Sequence, residues 1–301
     1  MKFSEYIQSY CYKILQPYFD FKRYPSSYKN YFHVFWKRLS KKYPIDAILK
    51  DGSKLRITNK NEFRISKESK KNHFYFQNDL LIINNKNLPE IKMSDWENNG
   101  GIASVFFDDE YGFLPVPNKI VVDVGANIGD TLIYFALKGA EKVIGIEPLP
   151  QNYESAKKNI QLNGLMSKID LQLAGCSNKT GYIQINDKKV GRLYSVESEK
   201  DSKVRIPLIT LDEICKKNDI HSGILKIDCE GCEYEVILST SRETLRSFSD
   251  IQIEYHFGYK NLKNKLEKSG FKVKVTKPKI GETQYMDETK SFFGFMYAHR
   301  V

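Results

Sequence analysis

The chain has 301 residues, of which 41% are hydrophobic and 28% are charged, a balance that is ordinary for a water-soluble globular protein. No apolar stretch approaches the roughly 18 residues that cross a bilayer, and we find no signal peptide, so the sequence argues against a membrane-spanning protein and predicts a cytoplasmic one. The five cysteines fit a reducing compartment, and the net charge of +10 makes anionic partners worth considering.

The excess positive charge lies entirely in residues 1–90, which hold 18 Lys and Arg against 8 Asp and Glu. A basic segment of this kind can hold acidic glycans, phospholipid headgroups or nucleic acid, whereas a solvated lysine-rich surface is the plainer interpretation. We therefore expect any anionic or membrane-surface contact to run through residues 1–90. The protein would then be either free in the cytoplasm or peripheral to a membrane.

The first 43 residues are dense in aromatic side chains, and their spacing predicts two helices. The first covers residues 3–15 and ends before Pro17, and the second covers residues 27–40. An aromatic stripe at helical spacing usually packs against the rest of the protein, so we expect these helices to be packed on the domain that follows them. The alternatives are stacking on sugar rings and contact with a membrane surface.

From Pro44 the pattern changes to short strands. Residues 45–49 and 54–58, joined at Asp51-Gly52, predict a hairpin, and residues 72–76 and 80–83 predict two more strands. The prolines at 115 and 117 precede the most strongly patterned part of the chain. We therefore predict a basic, aromatic-rich α+β extension over residues 1–115 and a second domain over residues 116–301.

The stretch V-V-D-V-G-A-N-I-G-D at residues 121–130 predicts a buried strand, a tight turn and then a helix. Gly125 and Gly129 allow the backbone to turn sharply beside a ligand, and Asn127 tolerates unusual backbone angles. A dinucleotide site requires G-x-G-x-x-G, and no glycine stands two residues after Gly125. Asp123 would repel a diphosphate but suits an amino group, such as that of the methionine portion of S-adenosylmethionine.

The rest of the domain alternates strands and helices, which predicts a parallel sheet with helices on both faces and a ligand at the carboxyl ends of the strands. The second strand ends at Glu147, about 20 residues after the turn, the interval at which an acid reaches ribose hydroxyls. Glu147 is therefore the predicted ribose ligand. Later strands are predicted over residues 142–147, 169–174, 181–186, 191–196, 203–210, 223–228, 251–255, 271–275 and 292–298, and helices over 151–163, 211–218 and 262–269.

The strand predicted over residues 223–228, the fourth of the main sheet, ends in a cluster of ionisable side chains, namely Lys226, Asp228, Glu230 and Glu233. Charges at the end of a buried strand are costly, and they are usually retained where chemistry or a cofactor needs them, although an ion-paired structural cluster is the alternative. The fifth strand should lie beside the fourth and bring Glu254 and His256 to the same edge of the sheet.

Four motifs, in this order, resemble the FkbM family of S-adenosylmethionine-dependent methyltransferases. They are V-D-V-G-A-N-I-G-D from Val122, G-I-E-P-L-P-Q-N-Y from Gly145, L-K-I-D-C-E-G-C-E-Y-E-V-I from Leu225 and I-E-Y-H from Ile253. The resemblance implies a class I methyltransferase fold, which is Rossmann-like with a mostly parallel seven-stranded sheet, and methylation of a hydroxyl on a sugar, glycan or secondary metabolite. It also implies that two residues near the end of the third strand, which is predicted over residues 169–174, contact the adenine. They are Ala174 and Ser177.

Methyl transfer to oxygen requires that the acceptor hydroxyl lose its proton. His256 is the predicted general base, with Glu230 or Asp228 as the alternative and Glu254 beside it. Asp228, Glu254 and His256 could instead hold Mg²⁺, which would acidify a bound hydroxyl. Cys229 and Cys232 form a C-x-x-C motif without a second pair, so we expect them to pack beside a turn and to have no zinc or redox role.

Two other functions compete with this interpretation. An RNA methyltransferase could use the basic N-terminal segment, but the N-P-P-Y or D-P-P-Y tetrad expected for amino-group methylation is replaced by D-C-E-G, so nucleic acid is disfavoured. A non-enzymatic glycan-binding or membrane-associated protein would leave the cofactor turn without a use. The sequence sets neither the acceptor nor the oligomeric state.

Overall fold

A computed structural model describes residues 21, 24–50, 52–67, 73–84, 87–96, 101–185, 204–282 and 290–301. The helix predicted over residues 3–15 and the strand predicted over residues 191–196 lie outside these residues. The chain divides into two compact units between Glu110 and Tyr111. No helix in the described part of the chain is long and apolar enough to span a membrane.

The N-terminal unit is a small α+β structure with its own core. The predicted hairpin is confirmed as an antiparallel pair, and so is the second pair of strands. Its elements in order are α1 (Tyr31–Leu39), β1 (Ile45–Ile48), β2 (Lys54–Ile57), α2 (Lys60–Ser66), β3 (His73–Gln77), β4 (Leu80–Asn84), β5 (Ile91–Met93) and a π-helical turn (Ala103–Phe107).

Helix α1 buries only part of its predicted aromatic stripe, because Tyr31 and Phe35 pack against the core of the N-terminal unit and other rings do not. It buries Val34, which packs with Tyr24, Tyr28 and Phe63 in the core of this unit. Phe32 and Trp36, in contrast, are 58% and 63% exposed. The aromatic stripe is wider than the face that the small core can cover, so part of it remains on the surface.

The C-terminal unit contains the predicted alternation of strands and helices. The strands are β6 (Ile120–Val124), β7 (Lys142–Glu147), β8 (Ile169–Leu173), β9 (Gly175–Cys176), β10 (Gly181–Ile185), β11 (Val204–Ile209), β12 (Gly223–Ile227), β13 (Phe248–Tyr255), β14 (Phe271–Val275), β15 (Lys279–Glu282) and β16 (Lys290–Arg300). The helices are α3 (Asp130–Leu137), α4 (Pro150–Leu162), α5 (Leu211–Lys217), α6 (Cys232–Ser239), α7 (Arg242–Arg246) and α8 (Lys260–Lys268).

The main sheet has the class I methyltransferase arrangement that the resemblance implied. Its seven strands lie in the order β14-β16-β13-β12-β6-β7-β8, and β15 pairs with β16 outside this path. Only β16 runs antiparallel to its neighbours among these seven. Strand β12 is buried along its whole length and β6 is buried in all but its first residue, as the apolar runs predicted. The carboxyl ends of β6, β7, β12 and β13 therefore meet at one edge of the sheet.

One predicted strand forms, but it belongs to a different sheet from the one expected. The segment over residues 203–210 was expected in the main sheet, but β11 forms a separate three-stranded sheet with β9 and β10. Its side chains alternate between buried and exposed, and β9 pairs only with Leu208 and Ile209, so Pro207, which has no N–H to donate, is paired on one side alone. These features suit a small, half-exposed sheet better than a fully buried parallel strand.

Candidate active site

The turn after β6 is held tightly against the strands on both sides. The backbone N–H groups of Gly125 and Ala126 donate to the Ile146 carbonyl at 2.9 and 3.1 Å. Gly125, Asn127 and Gly129 all have positive φ angles, of 86°, 48° and 83°. A Cβ atom on Gly125 would lie 1.8 Å from the carbonyl oxygen of Asp228, so the turn touches the end of β12 and only glycine fits there.

Glu147 lies beside this turn as a buried carboxylate. It accepts hydrogen bonds from the backbone N–H groups of Asn127 at 2.8 Å and Leu149 at 3.0 Å, and from the Asn152 amide at 3.4 Å. Burial raises the pKa of Glu147 to about 7, although these donors oppose the shift. A carboxylate has about four acceptor sites, so one remains for a hydroxyl donor. Glu147 thus has the capacity expected of a ribose ligand.

Asp123 is buried completely and faces a cation from the neighbouring strand. Its Oδ1 lies 2.8 Å from Nζ of Lys226, and the Thr131 hydroxyl donates to its Oδ2. The Lys226 contact is an ion pair without hydrogen-bond alignment, and Lys226 donates to the Gly125 carbonyl at 2.9 Å instead. Burial raises the pKa of Asp123, and Lys226 opposes this shift. Asp123 is therefore placed to act on the turn through Lys226.

Asp130 was not singled out in the sequence as a member of this group. It begins α3, is almost fully buried, and has a pKa raised to about 6 by burial, with Lys226 opposing the shift. Burial also disfavours the charge of Lys226, but Asp123 and Asp228 hold its pKa above the usual range. Lys226 is thus the cation that three acidic side chains around the turn share.

Ala174 and Ser177 follow the third strand, as expected. The Ala174 N–H donates to the Glu147 carbonyl at 3.2 Å, which puts Ala174 directly beside the predicted ribose ligand. The Ser177 hydroxyl donates to Glu235 in α6 at 2.8 Å. Both residues are buried. Their contact with a cofactor stays a prediction.

The second part of the site is a histidine surrounded by three carboxylates. Nε2 of His256 lies 3.3 Å from Glu230 and 3.9 Å from Asp228, and its Nδ1 lies 3.0 Å from Glu233. Burial alone would lower the pKa of His256, but the hydrogen bond and charge of Glu233, with Glu230 and Asp228, raise it to about 9. The imidazole is therefore mainly protonated at neutral pH.

The residues of this site lie in a part of the chain that matches the model of a known protein family. A model of the methyltransferase FkbM domain matches residues 123–287, which is more than half of the chain. The chain belongs to the FkbM methyltransferase family. The class of reaction is therefore S-adenosylmethionine-dependent methyl transfer.

Individual relatives of this FkbM protein are distant. The methyltransferase sdnD of Sordaria araneosa is 24% identical over 185 residues, which cover 50% of this chain and 71% of the relative. A putative tRNA methyltransferase from Streptococcus pneumoniae is 16% identical, with 64% and 69% of the two chains covered and a TM-score of 0.38. A putative transferase from Pyrococcus horikoshii is 12% identical, with 89% and 82% covered and a TM-score of 0.40.

Glu233 is the residue of the FkbM site whose role was missed. It is completely buried, and it accepts hydrogen bonds from the backbone N–H groups of Gly231 at 2.8 Å and His256 at 3.1 Å as well as contacting the imidazole. It therefore fixes both the ring and the backbone of His256. The acidic cluster after β12 is visible in the sequence. The contact between Glu233 and His256 is not, because it depends on how closely the fold brings α6 to the end of β13.

The candidate Mg²⁺ ligands that the structure brings together differ in one member from the predicted set, which stays a prediction. In the described part of the chain, the ligand atoms that lie within 4.8 Å of one another belong to Asp228, Glu230 and His256, and Glu254 is not in this group. Strand β13 ends at Tyr255, and Glu233 holds the backbone of His256. His256 therefore lies just beyond the strand that carries Glu254.

Cys229 and Cys232 pack against the core beside a turn, as expected, and they also form a disulfide, which was not expected. The bond closes the turn that contains Glu230 and Gly231, whose φ angles are 56° and 121°. The reducing environment expected from the cysteine count does not account for this bond. The disulfide instead constrains the turn that presents Glu230 to His256.

Proposed function

We propose that this FkbM protein is an O-methyltransferase that methylates a hydroxyl of a sugar, glycan or other small metabolite. The observation that carries the proposal is the contact between the Gly125 turn and Asp228, because it joins the cofactor turn to the His256 cluster. A donor held at the turn and an acceptor held at the cluster would be neighbours, as a direct displacement requires.

The residues present fit S-adenosylmethionine. Glu147 retains an acceptor site for a ribose hydroxyl, and Gly125 allows the backbone to approach a ligand closely. Ala174 and Ser177 would line the adenine side, and Asp123 would act through Lys226 on the turn together with Asn127 and Gly129. When bound, the cofactor supplies an electrophilic methyl group on a sulfonium. The remaining chemistry belongs to the protein.

We propose that His256 is the general base, with Glu230 and Asp228 positioning the acceptor hydroxyl and Glu254 nearby on β13. Because burial and the three carboxylates leave the pKa of His256 at about 9, only a small neutral fraction is ready to take a proton at pH 7. The acceptor oxygen becomes strongly acidic as the new C–O bond forms, so a weak base suffices. Glu233 would stabilise the imidazolium that results.

A divalent cation is the alternative use of the same cluster. Asp228, Glu230 and His256 offer two carboxylates and one imidazole, which are plausible ligands for Mg²⁺. A metal would replace the proton of His256 and would acidify the acceptor directly. Loss of turnover after dialysis against EDTA, with recovery on adding Mg²⁺, would support this alternative. Full turnover in EDTA would support His256 alone.

The acceptor class is tested with radiolabelled S-adenosylmethionine and separated pools of host glycans, lipids, small metabolites and RNA. We expect label in the glycan or metabolite pool with the wild-type protein and none with His256→Ala. Label that is stable to base and sits on oxygen would support O-methylation. Label in RNA would instead support the RNA methyltransferase that the basic N-terminal segment suggests.

A further inference from the structure

We propose that helix α1 docks the N-terminal unit on an anionic membrane surface. Phe32, Trp36 and Leu39 are 58%, 63% and 55% exposed, and we call them the α1 ridge. At about 100° per residue they lie within about 60° of one another on the helix. Three large apolar side chains therefore form one continuous exposed stripe, which is unusual for a surface that faces only water.

The orientation of this stripe is fixed by the core of the unit. Val34 lies on the opposite side of α1 and is fully buried, while the Phe35 ring packs against Phe21 and Tyr24. The Arg38 guanidinium lies over the Phe63 ring, with 5.3 Å between its Cζ and the ring centroid. The helix thus has a second, well-packed face, and the α1 ridge is what this packing leaves outside.

The charge around the α1 ridge matches a negatively charged surface. Between residues 21 and 45 the sequence has seven Lys and Arg and no Asp or Glu. Lys29, Lys41 and Lys42 are exposed, and Lys37 is partly exposed on the helix itself. Lysine side chains can reach past an apolar stripe to lipid headgroups, and amphipathic helices with aromatic and basic residues bind interfaces through both effects.

The chemistry of the α1 ridge favours lipid over RNA. RNA-binding surfaces present aromatic rings in a groove on which bases stack. The α1 ridge lies on the exposed face of a helix, and Leu39 offers an aliphatic side chain that stacks on no base but inserts readily among acyl chains. Indole and phenyl rings are also enriched where a membrane meets water. The proposal is independent of the methyl-transfer reaction.

Tryptophan fluorescence provides a direct test, because the protein has two tryptophans in different environments. Trp36 is 63% exposed, whereas Trp96 is 4% exposed and gives a constant background. The full chain is titrated with vesicles of phosphatidylcholine and with vesicles of phosphatidylcholine and phosphatidylserine. We expect a blue shift with the anionic vesicles alone, and quenching by lipids brominated on their acyl chains. In Trp36→Phe both signals should disappear while sedimentation with the vesicles persists.

Variants separate the apolar and electrostatic contributions. Phe32→Ser combined with Trp36→Ser should weaken vesicle sedimentation at least tenfold, and Lys41→Gln with Lys42→Gln should weaken it and reduce its salt dependence. Phe113→Ser is the matched control, since Phe113 is 54% exposed in the C-terminal unit and should leave vesicle binding unchanged. Equal binding of neutral and anionic vesicles, or no quenching by brominated lipid, would overturn the proposal. It would also be overturned if the Phe32→Ser and Trp36→Ser double variant lost self-association or RNA binding but kept vesicle binding.

Discussion

The Lys226 ammonium lies 2.8 Å from the Asp123 carboxylate, and the two residues are direct partners in the register of β12 and β6. Both side chains are almost completely buried. Lys226 also donates to the Gly125 carbonyl, so one cation connects β12 with β6 and with the turn that follows β6. Removing the cation should therefore affect both stability and the cofactor turn.

Lys226→Met should lower the free energy of unfolding by about 3–5 kcal/mol at neutral pH, because it leaves a buried carboxylate without its cation. The loss should be smaller at acidic pH, because a protonated Asp123 no longer needs the cation. Urea unfolding at both pH values measures it. Lys142→Met is the matched control, because its pair with Asp170 is about 40% exposed and its loss should cost less than about 1 kcal/mol. Equal losses in the two variants would show that Lys226 has no special structural role.

Gly125→Ala should abolish binding of S-adenosylhomocysteine. The added Cβ would meet the Asp228 carbonyl at 1.8 Å, so the turn or the end of β12 must move. Gly164→Ala is a precise control for backbone strain, because Gly164 also has a positive φ, of 67°, but a Cβ there has no atom within 4 Å. The control should cost about 1–2 kcal/mol of stability and no affinity. Calorimetry on both variants decides whether close approach, rather than strain, is what the turn requires.

The parts of the site that could be predicted from sequence are those set by neighbouring residues. The strand, turn and helix around Gly125 follow from apolar runs and turn residues, and so does the position of Glu147 at the end of β7. The role of Glu233 could not be predicted in the same way, because it depends on how α6 approaches the end of β13. The placement of β11 depends on which sheet edge offers it partners. Both of these contacts join residues more than 20 positions apart.

The affinity for S-adenosylhomocysteine should rise with pH up to about 7 and then level off. Burial raises the pKa of Glu147 to about 7, whereas its usual value is 4.5, so the folded protein holds a proton that the unfolded chain has lost. A ribose hydroxyl donates to the ionised carboxylate, and binding therefore releases this proton below pH 7. We expect about a tenfold weaker affinity for each pH unit below 7. The slope should vanish in Glu147→Gln, and a slope that persists there would assign it to another group.

Reduction of the Cys229–Cys232 bond should lower kcat by about ten- to a hundred-fold, because it releases the turn that presents Glu230 to His256. Turnover is measured with and without dithiothreitol, which reduces the Cys229–Cys232 bond and is itself oxidised to a disulfide. Cys229→Ser combined with Cys232→Ser should have the low rate in both conditions. Cofactor affinity should stay the same, since the cofactor turn is held by Ile146. Identical wild-type rates in the two conditions would show that Glu230 keeps its position without the bond.

The rate of methyl transfer should depend on the protonation of His256. Burial opposes the charged imidazole, but Glu233, Glu230 and Asp228 raise its pKa to about 9, so the neutral base becomes more abundant as pH rises towards that value. The logarithm of kcat should increase with a slope near one and level off above about pH 9. Glu233→Gln removes the largest source of the upward shift, so its profile should level off at a lower pH. His256→Ala should lose about 10²–10⁴-fold in kcat with unchanged affinity for S-adenosylhomocysteine. A flat profile in the wild type, together with retained turnover in His256→Ala, would transfer the role of base to Glu230 or Asp228.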